Sequence, residues 1–259
     1  MSRYRHTLPQ LVDRLFLTDA RIGTTRRMIM ATIPHAHITT AALAIALGGM
    51  TGAQTEQTWT DQFGVEPGEL ASTGRNPYFV LEPGYRLTLE DGDERLAVTV
   101  LADTKVVDGV ETRVVEERES EGGELVEVSR NYFAISKRTN SVFYFGEDVD
   151  IYKNGKVVNH EGSWLAGVNG ARFGLIMPGL PLLGGRYYQE IAPGIAMDRA
   201  QIVSTNGTLK VPAGSFTTVL RIEETTPLER GAREYKLYAP GVGLLQEESL
   251  RLVQHGTVR

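Results

Sequence analysis

The chain of 259 residues contains no cysteine. It therefore has no disulfide, no thiolate nucleophile and no thiolate metal site, and lipid attachment through an N-terminal cysteine is excluded. A domain of about 200 residues buries roughly 70% of the surface that its unfolded chain exposes. A hydrophobic core alone is therefore expected to hold this fold together.

Histidine and the common catalytic motifs are also scarce. Of the five histidines, only His160 lies well inside the region expected to fold, and we expect it to be a turn or surface residue. A zinc site built on several imidazoles is therefore excluded, and no Gly-x-Ser-x-Gly turn supports a Ser-His-Asp site. No glycine-rich phosphate loop stands between a strand and a helix, so we expect neither a nucleotide nor any other cofactor.

The chain also lacks an apolar run long enough to cross a membrane. Residues Ile38–Leu47 are apolar, but a bilayer-spanning helix needs about 20 such residues. Arg26-Arg27 precedes this run and small residues follow it, which is the layout of an export signal. The alternatives are an ordinary basic leader or a twin-arginine signal. A separate possibility is that Met28 or Met30 is the true start, which would leave the residues before it untranslated. We expect residues 1–53 to be this signal and the remainder to be periplasmic or secreted.

After the expected signal, acidic residues outnumber basic residues. Residues 54–259 carry 21 Lys and Arg against 30 Asp and Glu, a formal net charge of −9. Phosphate backbones and anionic lipid surfaces attract proteins with basic faces. We therefore expect no nucleic-acid partner and no stable membrane anchor.

The chain contains many dipeptides that are typical of tight turns. Five pairs of the types Asp-Gly, Gly-Gly and Asn-Gly, at 91–92, 108–109, 122–123, 154–155 and 206–207, separate short alternating runs. Such pairs adopt the positive φ angles of tight hairpin turns. The pattern predicts an all-β fold: an antiparallel curved sheet or partly open barrel of about ten strands, without a long helix.

Two segments interrupt the regular pattern. Residues 54–76 are polar and aperiodic, and we expect a flexible arm before a single β domain at 77–259. The segment Phe173–Pro193 is rich in proline, glycine and apolar residues, and a loop this apolar is expected to pack on something. Two interpretations remain open: a plug that closes the sheet, or a lid or wall over a ligand pocket.

Aromatic and acidic residues cluster around this apolar loop. Aromatic side chains line pockets and fill cores equally often, and for these residues we favour the core over a pocket wall. Glu190 follows two tyrosines and is the best candidate for an acid held among aromatics, with Asp198 as its partner; a glycosidase needs such a pair about 5–10 Å apart. Nothing in the sequence establishes that the two carboxyls meet. The candidate ligand-binding residues are Trp164, Phe173, Tyr187, Tyr188, Glu190 and Asp198.

A second acidic group surrounds the Asn154-Gly155 turn. Glu147, Asp148 and Asp150 precede the turn and Glu161 follows it. Calcium prefers several converging oxygens, but the glycine-spaced Asp loop of a calcium site is absent. We favour an ordinary solvated turn over a cation site and expect no metal.

Several motifs together resemble a family of uncharacterised exported bacterial proteins. The motifs are Val-Pro-Ala-Gly-Ser-Phe at 211–216, Tyr-Ala-Pro-Gly-Val-Gly-Leu at 238–244, and the segments 76–84, 144–148 and 161–164. The first two are also similar to those of periplasmic domains of unknown function with a curved, lipoprotein-carrier-like sheet. The resemblance covers nearly all of residues 76–249 and implies a fold. It brings no assigned reaction, and Met197 departs from the more acidic segment of the relatives.

These observations favour a protein that binds without catalysing a reaction. We expect an exported soluble domain that binds an apolar or amphipathic small molecule, or another envelope component, in the concavity of its sheet. The alternatives are a carboxylate-dependent hydrolase acting on envelope polymers or glycans, and a purely structural envelope protein. The sequence leaves the ligand and the oligomeric state open.

Overall fold

The computed structural model describes residues 58–257, so the expected export signal at 1–53 lies outside the described residues. Within this range the chain forms eighteen strands and a single 3-10 turn, Pro67–Glu69. No helix of this range is long and apolar enough to cross a membrane. The strands are β1 (Leu70–Ala71), β2 (Gly74–Asn76), β3 (Phe79–Leu81), β4 (Tyr85–Asp91), β5 (Glu94–Val107), β6 (Val110–Glu121), β7 (Glu124–Ser136), β8 (Val142–Lys153), β9 (Lys156–Asn159), β10 (Trp164–Leu165), β11 (Arg172–Met177), β12 (Arg186–Tyr188), β13 (Glu190–Ile191), β14 (Arg199–Val211), β15 (Gly214–Thr225), β16 (Glu234–Ala239), β17 (Gly243–Glu247) and β18 (Leu250–Thr257).

Most of the expected hairpin turns are confirmed. Asp108 and Gly109 join β5 to β6 with φ angles of 48° and 76°. Asn154 and Gly155 join β8 to β9 with φ angles of 53° and 71°. Two successive positive φ angles give a turn whose twist matches that of paired strands, which is why these dipeptides set the register.

The turn expected at Asn206-Gly207 is wrong. These residues lie inside β14, where Gly207 pairs with Val219 of β15 across an irregular register. The chain reverses later, between Val211 and Gly214. The Asn-Gly pair therefore belongs to a bulge, because the Pro-Ala step after Val211 supplies the turn.

One large sheet dominates the molecule, and its ladders are antiparallel. Its strands follow the order β12-β14-β15-β16-β17-β18-β4-β5-β6-β7-β8-β11-β13, with β9 and β10 added beside β8 and β1 beside β7; β2 and β3 form a separate pair. This confirms the all-β antiparallel fold, a sheet nearly closed into a barrel. The expected number of about ten strands is too low, because strands of two or three residues, such as β1, β10 and β13, are too short to show a period in the sequence.

A single segment brings the two ends of this sheet together. Residues Arg186–Tyr188 pair with β14, at one end of the strand order. After Gln189, residues Glu190–Ile191 pair with β11, at the other end. We call residues 186–191 the seam, because its backbone is hydrogen-bonded to both ends of the sheet.

The segment Phe173–Pro193 closes the sheet as expected, but it is not one loop. It contains most of β11 and all of the seam, and only residues 178–185 form a loop between them. The expectation that this apolar loop is packed away is wrong at its tip. Leu180, Leu182 and Leu183 keep 76%, 64% and 71% of their surface exposed. The end of the loop is attached to β14, where the Gly184 N–H donates to the carbonyl of Ile202 at 2.8 Å.

The described part of the expected arm, residues 58–76, is attached to the barrel. The Thr60 N–H donates to the carbonyl of Arg186 at 3.1 Å, and the Tyr188 N–H donates to the carbonyl of Thr60 at 2.8 Å. The ring of Phe63 meets that of Phe143 edge-on at 5.8 Å. This stretch therefore covers the outer edge of the seam.

Close packing against the seam explains why position 174 is a glycine. A Cβ built on Gly174 of β11 lies 2.4 Å from the backbone of Gln189, which is closer than real Cβ atoms approach. Replacing Gly174 by alanine must therefore push β11 away from the seam. Overpacking of this kind typically costs about 1–3 kcal/mol.

We predict that Gly174→Ala lowers the free energy of unfolding in urea by about 2 kcal/mol or more. Gly64→Ala is the matched control, because nothing lies within 4 Å of a Cβ at that position. Equal stability of the two variants would contradict the close approach of β11 and the seam.

Candidate functional site

The barrel interior contains a buried polar network on β15, β16 and β17. The register places Glu224 opposite Glu234, and Lys236 opposite Glu247. The alternating positions of β16 turn Glu234 and Lys236 inward, so both are buried. We call Glu224, Glu234, Lys236 and Glu247 the Lys236 network.

Lys236 stands at the centre of three carboxylates. Its Nζ lies 3.0 Å from an Oε2 of Glu224, 3.3 Å from an Oε1 of Glu247 and 3.5 Å from an Oε1 of Glu234. All four side chains are at least nine-tenths buried. In such a dry interior an ion pair is strong, but removing one partner leaves an uncompensated charge.

Burial and neighbouring charges separate the carboxyl pKa values of this network. Burial alone would raise the pKa of Glu224, but the charge of Lys236 outweighs it and lowers that pKa to about 2. Burial, reinforced by the nearby Glu224, raises the pKa of Glu234 to about 8. Glu234 therefore keeps its proton at neutral pH beside an ionised Glu224. The three glutamates more than offset the burial of Lys236, whose pKa is raised well above its ordinary value.

Gln189 and Glu190 of the seam, together with Asp198, add further buried polar groups. The side-chain amide of Gln189 donates to an Oε1 of Glu224 at 2.8 Å. The N–H of Asp198 donates to an Oε1 of Glu190 at 2.8 Å, and the Gln189 N–H donates to the Asp198 carbonyl at 2.8 Å. The structure thus brings the candidate residues Glu190 and Asp198 together.

The Glu190–Asp198 pair lies in a dry environment. Their residues are 2% and 5% exposed. Burial raises the pKa of Glu190 well above its ordinary value, and the neighbouring Asp198 adds to this. Burial likewise raises the pKa of Asp198. The pair therefore holds protons more tightly than carboxyls in water do.

An apolar cavity of about 70 Å³ adjoins the Lys236 network. Glu117, Lys236 and Glu247 are the charged residues of its lining. The rest of its wall is mostly apolar and includes Leu87, Val98, Val100, Phe133 and Ile176. The cavity therefore combines a mostly apolar wall with three charged side chains.

A second and larger cavity, of about 240 Å³, lies around Trp164. Asp148, Ser163 and Asn169 contribute polar groups to its lining. We call it the Trp164 pocket. Its apolar lining is formed by Trp164, Leu165, Val168, Ala171, Ala192, Pro193 and Ile195.

Two hydrogen-bonded turns form the walls of the Trp164 pocket. In the first, the Gly167 N–H donates to the carbonyl of Ala171 and the Ala171 N–H donates to the carbonyl of Val168, both at 2.9 Å. In the second, directly after the seam, the Ala192 N–H donates to the carbonyl of Ala196 at 2.7 Å. The walls are therefore built before any ligand arrives, as is usual for small-molecule sites.

Trp164 contributes to the pocket wall a side chain that is both aromatic and polar. The indole is buried and meets the ring of Tyr144 edge-on at 5.2 Å. Its Nε1 is buried and has no hydrogen-bond partner among the described residues. Val168 and Ile195 keep 49% and 47% of their surface exposed, so the pocket opens to solvent between apolar side chains.

The other candidate aromatic residues, Phe173, Tyr187 and Tyr188, pack within the fold and line neither cavity. The ring of Phe173 stacks on that of Phe145 at 4.8 Å and belongs to the core. Tyr187 is buried, and burial raises the pKa of its hydroxyl. Tyr188 is half-buried in the seam. Of the four candidate aromatics, Trp164 alone lines one of the two cavities described above.

Two acids of the group near Asn154-Gly155, Asp148 and Asp150, pair with separate cations. Asp148 accepts a hydrogen bond from Lys105 at 2.8 Å, and Asp150 accepts one from Arg130 at 3.1 Å. His160, largely exposed, places its Nδ1 3.0 Å from an oxygen of Asp150. Asp148 and Asp150 therefore bind different cations and do not share one. Nowhere in residues 58–257 do three potential ligands cluster as a metal site requires.

Comparisons with known protein families, with curated proteins and with solved structures find no match to this chain. The site must therefore be interpreted from its own geometry.

Sequence reasoning missed the Lys236 network because β16 inverts the usual pattern. Tyr235 and Leu237 are only half-buried, whereas Glu234 and Lys236 are buried. An alternating strand is normally oriented with its apolar face inward, which is the opposite of what β16 does. One sequence feature did indicate a buried acid. Glu224 falls on the same alternating face of β15 as the buried residue Ile222.

We predict that the protein loses stability as the pH rises from about 5 to 8. The pKa of Glu234 is about 8 in the folded state and 4.5 in its ordinary state, so the folded chain binds a proton that the unfolded chain has released. The stabilisation that comes from protonated Glu234 is complete below about pH 4.5, and it is lost as the pH rises through about 8. Glu190 and Asp198 act in the same direction.

Urea titrations at several pH values test this expectation. One extra bound proton corresponds to a slope of about 1.4 kcal/mol per pH unit, and Glu234→Gln is expected to remove that part of the slope. The exposed Glu229→Gln is the matched control. A slope that is the same in wild type and Glu234→Gln would contradict the assignment.

Proposed function

We propose that this chain is an exported protein that binds a small amphipathic molecule without chemically changing it. The Trp164 pocket is the proposed binding site. The observation that carries the proposal is a preformed apolar cavity whose wall holds a buried indole N–H without a partner.

The pocket chemistry defines what such a ligand must offer. An orphaned buried donor costs about 1–3 kcal/mol, so a ligand that brings an acceptor to Trp164 recovers that free energy. The apolar walls favour a hydrophobic body. A volume of about 240 Å³ lies slightly below the roughly 300–1,000 Å³ of most ligand pockets, which favours a small molecule.

Hydrolysis of envelope polymers is less well supported. Glu190 and Asp198 do meet, but 2% and 5% exposure leave no open groove beside them for a polymer chain. Glycosidases place their carboxyl pair on either side of a bound sugar, which needs access from solvent. The geometry therefore favours binding over this reaction.

Export remains part of the proposal and rests on the sequence. The short apolar run Ile38–Leu47, with the arginine pair before it, supports a cleaved signal. The resemblance to exported bacterial proteins points to the same compartment. An envelope or extracellular small molecule is therefore the proposed ligand.

We predict that cyclohexanone, an apolar ring with one carbonyl acceptor, binds in the Trp164 pocket. In a proton–nitrogen NMR spectrum of the protein, the indole signal of Trp164 is expected to shift during titration, because the carbonyl accepts its hydrogen bond. The chain has two tryptophans, so the Trp59→Phe variant assigns the signals.

Substitution separates the hydrogen bond from hydrophobic binding. Trp164→Phe is expected to weaken cyclohexanone binding about tenfold, since a net hydrogen bond contributes about 0.5–1.5 kcal/mol. Trp59→Phe is expected to leave the affinity unchanged, because Trp59 lies between Arg186 and Arg199 and does not line the pocket. An unshifted Trp164 signal at saturating cyclohexanone would refute the proposal.

A further inference from the structure

The loop between β11 and β12, residues 178–185, exposes an unusual amount of apolar surface. It carries three of the four most exposed large apolar side chains of the described residues. These are Leu180, Leu182 and Leu183, which stand within one stretch of four residues, and we call them the leucine tip. Scattered single apolar residues are normal on a protein surface, but a group of them marks a site of contact with a partner or a membrane.

The loop that carries the leucine tip is bonded to the fold at both ends. At its start, the side-chain amide of the buried Asn76 donates to the carbonyl of Pro178 at 3.0 Å. At its end, the Gly184 N–H donates to the carbonyl of Ile202 at 2.8 Å, and the Ile202 N–H donates to the carbonyl of Gly185 at 3.0 Å. The exposure of the leucines is therefore a property of the folded barrel and not of a detached segment.

Two basic residues lie beside the start of the loop. The turn between β7 and β8 contains Lys137 and Arg138, both exposed, and Ser141 just after them accepts a hydrogen bond from the Gly179 N–H at 3.1 Å. The Nζ of Lys137 donates to a backbone carbonyl at 3.0 Å and not to an acid. Arg138 pairs with Glu69 at 3.2 Å. This end of the loop therefore has two cations and one carboxylate.

Two more basic residues lie beyond the end of the loop. Arg186 follows the loop directly, and the guanidinium groups of Arg186 and Arg199 lie 5.3 Å and 4.7 Å from the ring centre of Trp59. Within residues 58–257 neither arginine pairs with an acid. The nearby Asp61 is paired with Arg172 at 3.2 Å. Both ends of the loop therefore carry an excess of positive charge, although acidic residues outnumber basic ones in residues 54–259.

We propose that the leucine tip binds reversibly to the surface of an anionic lipid membrane, with its leucines in the outer part of the apolar layer and the four basic residues near the lipid phosphates. Such a surface presents phosphates directly outside an apolar layer, and the loop presents cations directly behind an apolar tip. Tryptophan concentrates at the same level of a membrane, and Trp59 lies between two of the cations.

A lipid surface fits these observations better than a protein partner does. Lipid chains accommodate three apolar side chains without a preformed groove, whereas a protein interface needs a surface of matching shape. Three side chains bury far less apolar area than a membrane-spanning helix, so the contact is reversible and is not an anchor. The inference goes beyond the proposed function and does not depend on the Trp164 pocket.

A single labelled cysteine tests the contact, because the chain has no cysteine of its own. The full chain with Leu182→Cys carries the dye NBD, whose emission rises when it leaves water. It is mixed with vesicles of phosphatidylcholine and phosphatidylglycerol in equal parts. We expect the emission to rise about twofold or more and to be quenched by lipids with spin-labelled chains. The matched control is Val158→Cys on the exposed strand β9, at the far end of β8, where the emission is expected to stay unchanged.

Charge variants of the labelled chain test the basic residues. The double variant Lys137→Gln and Arg138→Gln is expected to weaken binding to the mixed vesicles at least tenfold, because each basic residue near an anionic surface contributes about fivefold. Lys156→Gln on β9 is the matched control and is expected to leave the affinity unchanged. Vesicles of phosphatidylcholine alone are expected to bind the wild-type surface at least tenfold more weakly. Residues 1–53 are identical in every sample, so differences between variants report on the loop.

Three results would overturn the inference. Unchanged emission of the label at position 182 with excess vesicles would show that the loop stays in water. Equal responses of the labels at positions 182 and 158 would show that the lipid contact does not involve the leucine tip specifically. A rise in emission without vesicles, growing with protein concentration, would assign the leucine tip to a second copy of the chain. Cyclohexanone binding at Trp164, measured separately, reports on the proposed function alone.

Discussion

The structure depends on the backbone hydrogen bonding of one six-residue segment, residues 186–191, to both ends of a long sheet. Tyr188 pairs with β14, and Glu190 pairs with β11. An open sheet of this length would leave two edges and a solvated concave face. Closure instead turns that face into an interior, which buries Gln189 and Glu190. The chain leaves the seam at Ala192 and immediately forms one wall of the Trp164 pocket.

A closed interior changes the electrostatics of every group inside it. Charges that water would screen interact strongly, which is why Glu224 and Glu234, directly opposite each other, reach pKa values of about 2 and 8. Apolar residues of similar size would usually stabilise a barrel at least as well as such a network does.

Much of the architecture was predictable from local turn chemistry, and most of the site was not. Asp108-Gly109 and Asn154-Gly155 specify hairpins because few other residues adopt two successive positive φ angles. Asn206-Gly207 has the same local signal, but the turn after Val211 takes the reversal instead. Glu190 and Asp198 were candidates, yet their contact depends on seam closure, a pairing between distant segments that no local pattern encodes. Lys236 was missed because its strand turns a polar face inward, and only the whole barrel determines which face that is.

Native-state hydrogen exchange of the seam amides tests closure most directly. The Tyr188 and Gln189 N–H groups donate to the carbonyls of Thr60 and Asp198, each at 2.8 Å. If the seam holds the barrel closed, these amides exchange only through global unfolding, with the same free energy as central amides such as that of Val115 on β6. Exchange of the two seam amides as fast as that of the exposed residues Leu182 and Leu183 would show an open sheet and contradict the account.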